Sequence, residues 1–255
     1  MRGIERFRDH FSAFSDRYVL IGGAAVDLLL SRAGIDYRVT KDLDVVLLVE
    51  SLDAAFGAAF WKFIDAGGYE HRHRSSGKPS FYRFHSPTDD SFPYMIELFA
   101  RRAGLIGQPA DAVIGRLPIA EEVSSLSAIM LDDDYYDFVR SGVTLVDGVP
   151  LLGALHLIPL KARAWVDLAD RRARGEEVSS DDIRKHRADV VRLFQLLSAD
   201  ERLVLPKRIA ADFGEFLERA FSGGYDPATV GIPRTSIEEI IAALRMTYAL
   251  GEDTA

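Results

Sequence analysis

Two segments of this chain decide its expected fold, Tyr18-Val-Leu-Ile-Gly-Gly-Ala-Ala25 and Arg38-Val-Thr-Lys-Asp-Leu-Asp-Val-Val46. The first has the pattern of a short buried strand that ends in a Gly-Gly turn and continues as a helix. In the second, Asp42 and Asp44 stand two residues apart at the start of a β-type run, so both carboxylates leave the same face of the strand. With an amphipathic helix at residues 4–15, the opening unit is therefore helix, strand, glycine turn, helix and strand.

These two segments also predict a chemistry. Two carboxylates on one strand face repel each other, and Mg²⁺, which prefers hard oxygen ligands and substrate phosphates, relieves that repulsion. Glycines without a Cβ atom let the backbone N–H groups at a helix N-terminus approach a triphosphate. Taken singly, each signal also has an ordinary structural interpretation, a strand-to-helix turn for the glycines and an exposed strand end for the acids.

The remaining N-terminal half predicts a mixed sheet flanked by helices, in an α/β (α+β) domain over residues 1–153. Ser51 or Asp53 caps a helix that stops at Gly67-Gly68. Strand-like runs follow at residues 69–74, 80–86 and 93–100, the last two as an antiparallel hairpin. Asp147-Gly148 suits the tight turn of another hairpin, and Asp132-Asp-Asp134 is expected to form an exposed turn.

From about residue 154 the apolar residues recur at helical spacing, which predicts a C-terminal helical bundle domain over residues 154–255. Pro159 is expected near the start of a helix that runs to about residue 173. The next helix opens at Ser179 or Ser180, a third begins at Pro206, and Ser236 with Glu239 forms a capping box for a fourth.

Composition excludes several classes of protein. The 255 residues contain no cysteine, 48% are apolar and 27% are charged. No apolar run approaches the roughly 20 residues that cross a bilayer, and the first 20 residues lack the apolar core of a secretory signal. Disulfide scaffolds, thiolate metal sites and a membrane span are thus excluded, and a cytoplasmic protein is expected. The net charge of −8 argues against sequence-blind coating of nucleic acid.

Taken together and in this order, the two segments resemble the nucleotidyltransferase superfamily of the DNA polymerase β type. The closer resemblance is to the AbiEii and MenT group of toxin nucleotidyltransferases, whose first motif reads Gly-Gly or Gly-Ser, a helix, then Arg-x-Thr-x-Asp-x-Asp. This resemblance implies that Asp42 and Asp44 bind Mg²⁺ or Mn²⁺. It further implies a nucleotide site in which Gly22 and Gly23 of the turn hold the NTP phosphates. Arg38 and Thr40, which precede the acids, assist at this site.

A third carboxylate is expected on a neighbouring strand, and Met95-Ile-Glu-Leu-Phe99 offers Glu97 there. The family more often has Asp at this place, so the role of Glu97 as general base or metal ligand stays open. The alternative is that Glu97 pairs with a nearby arginine such as Arg83.

The C-terminal half carries two further motifs of the family. Leu157-Ile-Pro-Leu-Lys-Ala-Arg-Ala-Trp165 resembles its lysine motif, which implies that Lys161 contacts the nucleotide; the alternative is an ordinary lysine of an amphipathic helix. The family often places an arginine seven residues later, where this chain has Leu168, so a second cation is expected from Arg163 or Arg171. On the next helix the resemblance assigns to Asp189 a role in supporting the site. The alternative is that Asp189 is an ordinary surface residue.

The implied activity is transfer of NMP from an NTP to an acceptor hydroxyl with release of pyrophosphate. The resemblance implies the 3′ end of tRNA as acceptor, in the toxin of a bacterial toxin–antitoxin pair with a cognate antitoxin protein. A path for RNA is expected along basic and aromatic residues of one segment, namely Arg72, Arg74, Lys78, Phe81, Tyr82 and Arg83. One alternative is a nucleotidyltransferase for small cationic molecules such as aminoglycosides, and the other is a catalytically decayed nucleotide- or RNA-binding protein.

Overall fold

The computed structural model describes residues 1–38, 40–48, 53–70, 83–99 and 132–251. The chain divides into two compact units, Met1–Gly153 and Ala154–Ala255. Over the described residues, the first unit contains a mixed β-sheet with helices, and the second contains helices alone. The predicted fold class, a mixed sheet flanked by helices and followed by a helical region, is confirmed.

The N-terminal unit alternates helices and strands. In chain order its elements are α1 Ile4–His10, a 3-10 turn Ser12–Phe14, β1 Tyr18–Ile21, α2 Gly22–Arg32, β2 Asp42–Leu47, α3 Ala54–Gly67, β3 Arg83–His85, β4 Met95–Phe99, α4 Asp133–Ser141, β5 Val143–Val146 and β6 Val149–Leu152.

Six strands of the described ranges form one sheet in the order β3-β4-β2-β1-β6-β5. Strand β2 runs antiparallel to β1 and parallel to β4, whereas β3 runs antiparallel to β4. This register places Asp44 opposite Glu97, and Glu97 opposite Arg83. Because paired residues share a face of a sheet, these three side chains leave the same face.

The opposite face of this sheet packs on an aromatic core. Tyr18 of β1 meets Phe7 of α1 at a ring-centroid distance of 5.4 Å, and Phe84 of β3 meets Phe60 of α3 at 5.3 Å. All four rings are buried, and such edge-to-face pairs add to the free energy gained by burial. The apolar face is thereby occupied by α1 and α3, and the acids of β2 and β4 lie on the other face.

In the N-terminal unit, local cap and turn chemistry agrees with the sequence at several places and differs at one. Asp53 caps α3 by accepting the Phe56 N–H at 2.9 Å, and Asp147 and Gly148 both have positive φ in the β5–β6 turn. The expected exposed turn at Asp132-Asp-Asp134 is wrong, because Asp132 accepts the Asp134 N–H and so begins helix α4. Tyr135 and Tyr136 then anchor that helix in the core.

The C-terminal unit comprises α5 Ala154–Ala173, α6 Ser180–Phe194, α7 Lys207–Ala220, a 3-10 turn Pro227–Val230 and α8 Ile237–Thr247. The capping box of Ser236 and Glu239 is present at the start of α8. Pro159 lies inside α5 and not in its first turn, which corrects the expectation from sequence. The carbonyl of Leu155, which the missing Pro159 N–H leaves unpaired within the helix, accepts the Tyr248 hydroxyl at 2.8 Å.

Every helix in the described part of the chain is too short or too polar to cross a bilayer.

Candidate active site

The site predicted from the first motif lies on the acidic face of the sheet. Asp42 and Asp44 leave the same side of β2, and Glu97 of β4 stands beside Asp44 in register. Neighbouring strands are about 4.8 Å apart, so the backbones that carry Asp44 and Glu97 are separated by that spacing. The fold therefore brings these three predicted acids to one place, which we call the acidic face.

The Gly-Gly turn borders the acidic face. Gly22 has φ of 65°, and a methyl group there would overlap the carboxylate of Asp44. At Gly23 a methyl group would lie 2.8 Å from Oγ1 of Thr40 and 3.6 Å from Nη2 of Arg38. Only residues without a Cβ allow these side chains to approach the first turn of α2, where the backbone N–H groups have no partner within the helix. Both glycines and the three side chains thus form what we call the glycine cradle.

Glu97 has the partner that the alternative interpretation foresaw. Its side chain is buried, and Nη2 of Arg83 donates to its Oε1 at 2.8 Å. Among the residues that the structure describes, no group of three or more acidic or histidine side chains is arranged to hold a metal ion. A cage of Asp42, Asp44 and Glu97 is therefore not formed in this arrangement, in which Arg83 donates to the glutamate.

The two aspartates alone still suit a divalent ion. Mg²⁺ is commonly held by one or two carboxylates together with waters and substrate phosphates, and a complete protein cage is unusual for it. Asp42 and Asp44 supply two carboxylates on one face, and the missing side chain of Gly22 lets the carboxylate of Asp44 lie against the first turn of α2. This donor set fits Mg²⁺ or Mn²⁺ that arrives with a nucleotide.

Lys161 and Asp189 meet each other within the C-terminal unit. Nζ of Lys161 on α5 lies 2.9 Å from Oδ2 of Asp189 on α6, and Nη1 of Arg192 lies 3.6 Å from Oδ1. Lys161 is 4% exposed and Asp189 is fully buried, so the interpretations as an ordinary amphipathic lysine and a surface acid are both wrong. Sequence reasoning missed Arg192, although its place three residues after Asp189 on one helix was a usable signal.

Comparison with known proteins adds little to this geometry. No family model matches the chain, and no curated protein matches it. Among solved structures, the chain is similar to the antibiotic-resistance factor ANT(2'')-Ia. The likeness has a TM-score of 0.35 and 12% sequence identity, and covers 86% of this chain and 95% of that one. Nothing about the activity of this chain follows from it.

The other predicted cations have partners of their own. Arg163 lies 3.6 Å from Asp212, and Arg171 lies 2.7 Å from Glu176. A role of either arginine as a second cation at the nucleotide site stays a prediction. Of the predicted RNA path, Arg83 is described, and the rest lies outside the described residues, namely Arg72, Arg74, Lys78, Phe81 and Tyr82.

Burial of polar side chains singles out the predicted residues. Within the described ranges, five polar or charged residues are buried, namely Thr40, Glu97, Lys161, Asp189 and Thr247. Four of these five belong to the predicted site. Burying a polar group costs free energy unless it finds partners. Apolar residues at these positions would cost the fold less free energy than the polar residues that it has.

Proposed function

We propose that this chain is a metal-dependent nucleotidyltransferase that transfers NMP from an NTP to an acceptor hydroxyl. The observation that carries the proposal is the close approach between Gly22, at the start of α2, and the carboxylate of Asp44 on the acidic face. In the reaction, the acceptor oxygen forms a bond to the α-phosphorus, and the bond from that phosphorus to the bridging oxygen of the β-phosphate breaks. Pyrophosphate leaves, and the hydroxyl proton passes to water or to a carboxylate of the acidic face.

Each residue of the site has a defined part in this proposal. Asp42 and Asp44 would hold Mg²⁺ or Mn²⁺, which when bound supplies positive charge against the phosphates. The N–H groups at the start of α2 and the guanidinium of Arg38 would bind and orient the triphosphate. Thr40, whose hydroxyl lies next to Gly23, would hold the glycine cradle in place. Catalysis would then consist mainly of positioning and charge neutralisation.

A purely structural interpretation of Asp44 also exists. An acid beside a helix N-terminus is stabilised by the helix dipole, and Gly22 is needed for that contact alone. This interpretation does not account for Asp42, which lies on the same face of β2. Acids placed side by side repel one another, so their grouping favours a site that receives a cation.

We also propose that Lys161 and Asp189 support the nucleotide site. An ammonium group has three N–H donors, and Asp189 fixes the direction in which the remaining donors point. Asp189 would then act through Lys161 and not by contact with the nucleotide.

The finer proposal concerns the acceptor and the biological role. Following the motif resemblance, we propose the 3′ end of tRNA as the acceptor and a toxin of a bacterial toxin–antitoxin pair, neutralised by a cognate antitoxin in the cytoplasm. The test is incubation of total bacterial RNA with Mg²⁺ and each labelled NTP in turn. A small RNA band should become labelled with one NTP preferred, and excess chelator should abolish the label.

Two variants make this test specific to the site. Asp44→Asn should lower labelling by about a hundredfold or more, since loss of a metal-binding carboxylate removes several kcal/mol of transition-state stabilisation. Asp137→Asn, at an exposed position of α4, should label as the wild type does. Equal labelling by Asp44→Asn and the wild type would exclude the proposed site.

A small cationic acceptor is the second candidate, and the net charge of −8 favours it. An acidic protein attracts cationic substrates and repels polyanions at long range. The same assay with an aminoglycoside in place of RNA tests this candidate. Labelling of the aminoglycoside in the absence of any RNA label would replace RNA by a small molecule as the acceptor.

A further inference from the structure

Three side chains stand in one row across the acidic face. Asp44 on β2, Glu97 on β4 and Arg83 on β3 occupy successive paired positions. Glu97, in the middle, is nearly enclosed, with 8% of its side chain exposed, whereas the side chain of Arg83 is 31% exposed. The side chain of Arg83 as a whole is therefore more accessible to solvent than that of Glu97.

Glu97 lies between Arg83 and the place of the proposed metal ion, and these two cations would compete for its carboxylate. On one side Arg83 donates to it at 2.8 Å, and on the other side lies Asp44, one strand away, where the proposed ion would bind. A buried carboxylate requires a counter-charge, because an unpaired buried charge is costly. If Arg83 is drawn away, an ion held by Asp42 and Asp44 would supply such a counter-charge.

We propose that Arg83 is a positioning residue that holds Glu97 away from the metal until a nucleotide binds. This inference rests on the proposed function. A guanidinium binds phosphate with the same forked geometry as carboxylate, so a nucleotide phosphate can replace Glu97 on Arg83. Glu97 then turns to the metal side and completes the ligand set. Nucleotide and metal each favour binding of the other, a coupling that is equal in both directions.

The test is a double-mutant cycle on the nucleotide-free protein, read by Mn²⁺ affinity from the paramagnetic resonance signal of free Mn²⁺. Arg83→Gln releases Glu97, so Mn²⁺ should bind about tenfold more tightly than to the wild type, within the usual range of coupling between sites. In the Glu97→Gln background the same substitution should give a clearly smaller gain. If Arg83 acts only through its charge, the two gains are equal, and that result overturns the inference.

Two further variants complete the design. Arg140→Gln removes an exposed arginine of the same unit, on α4, and should leave Mn²⁺ affinity unchanged. Arg83→Lys keeps the charge but loses the fork, so the gain in Mn²⁺ affinity should be smaller than that of Arg83→Gln. This variant also serves if Arg83→Gln does not fold, and affinity identical to the wild type would then count against the inference.

A second measurement addresses the exchange itself. At saturating Mn²⁺, the affinity for an α,β-methylene NTP should fall about tenfold in Arg83→Gln, because a charge-assisted phosphate contact is lost. Unchanged affinity would show that no phosphate reaches Arg83 and would overturn the exchange.

Failure of the inference and failure of the proposed function give different results. Wild-type protein that binds no Mn²⁺ even with the α,β-methylene NTP present, or Asp44→Asn that binds Mn²⁺ as tightly as the wild type, refutes the metal site. If Asp44→Asn loses Mn²⁺ binding as expected, and Arg83→Gln raises Mn²⁺ affinity equally with and without Glu97→Gln, only the role of Arg83 is refuted.

Discussion

Gly22 is the residue at which backbone conformation and site chemistry coincide. It has φ of 65°, a conformation that costs an L-residue roughly 1–2 kcal/mol, and its missing side chain makes room for the carboxylate of Asp44. The two effects can be separated, because Gly34, two residues beyond the end of α2, has φ of 72°, and among the described residues no atom outside its chain neighbours lies within 4 Å of the position of a Cβ.

Gly22→Ala and Gly34→Ala are therefore a matched pair. Both should lower the free energy of unfolding by about 1–2 kcal/mol through backbone strain. Gly22→Ala should in addition displace Asp44 and abolish metal-dependent binding of a non-hydrolysable NTP, measured by calorimetry. Gly34→Ala should bind as the wild type does. Wild-type nucleotide binding by Gly22→Ala would show that the glycine serves the turn alone.

Lys161 gives a second prediction at the residue scale. Since Lys161 and Asp189 are both buried, Lys161→Met should lower the free energy of unfolding by about 3–5 kcal/mol, because it leaves a buried carboxylate without its lysine. Replacing both residues, with Asp189→Leu added, should recover most of that loss. Urea unfolding measures both values.

The double variant also separates structure from function. If it folds as stably as the wild type and no longer transfers nucleotide, Lys161 and Asp189 support the reaction as proposed. Transfer at the wild-type rate would reduce the pair to a structural contact between α5 and α6.

At the scale of elements, helix α5 contains a proline that a distant side chain compensates. Pro159 cannot donate to the Leu155 carbonyl, and the hydroxyl of Tyr248, which follows α8, donates to it at 2.8 Å. Burial raises the pKa of Tyr248 well above that of an exposed tyrosine, so the hydroxyl keeps its proton and remains a donor. The end of the chain is thereby tied to the first turn of α5.

Tyr248→Phe should lower the free energy of unfolding by about 1 kcal/mol, the net contribution of one hydrogen bond to a partly buried carbonyl. In the Pro159→Ala background the cost of Tyr248→Phe should be clearly smaller, since the alanine backbone supplies the N–H that proline lacks. Chemical denaturation of the four proteins gives this cycle. Equal costs in the two backgrounds would mean that Tyr248 contributes by packing alone.

The same elements show what the sequence can and cannot predict. The strand of Asp42, the cap at Asp53 and the turn at Asp147 depend on residues close in the chain, and each is confirmed. The interior position of Pro159 was missed because its compensation comes from Tyr248, a partner that no local pattern reveals. The partners of Glu97 and Lys161 depend on strand register and helix pairing, so the sequence left the first open and did not reveal the second.

At the scale of the whole molecule, the net charge of −8 sets a condition on RNA as substrate. An acidic protein binds a polyanion only through a local concentration of arginine and lysine side chains. Much of the proposed path lies in 71–82, outside the described residues, so the balance between RNA and a small acceptor is tested best through its dependence on salt.

Labelling of RNA should fall steeply as salt rises from about 50 to about 200 mM. Each phosphate contact with single-stranded RNA contributes about 0.7 to the slope of log affinity against log salt, so four contacts lower affinity about fiftyfold over this range. An aminoglycoside has no condensed counterions to release, and its labelling should decline only by screening. Because the NTP is itself an anion, its affinity must be measured at each salt concentration and the labelling corrected for it. RNA labelling that stays constant after this correction would contradict recognition through phosphates, and the acceptor would then have to be recognised through its bases or replaced by a small molecule.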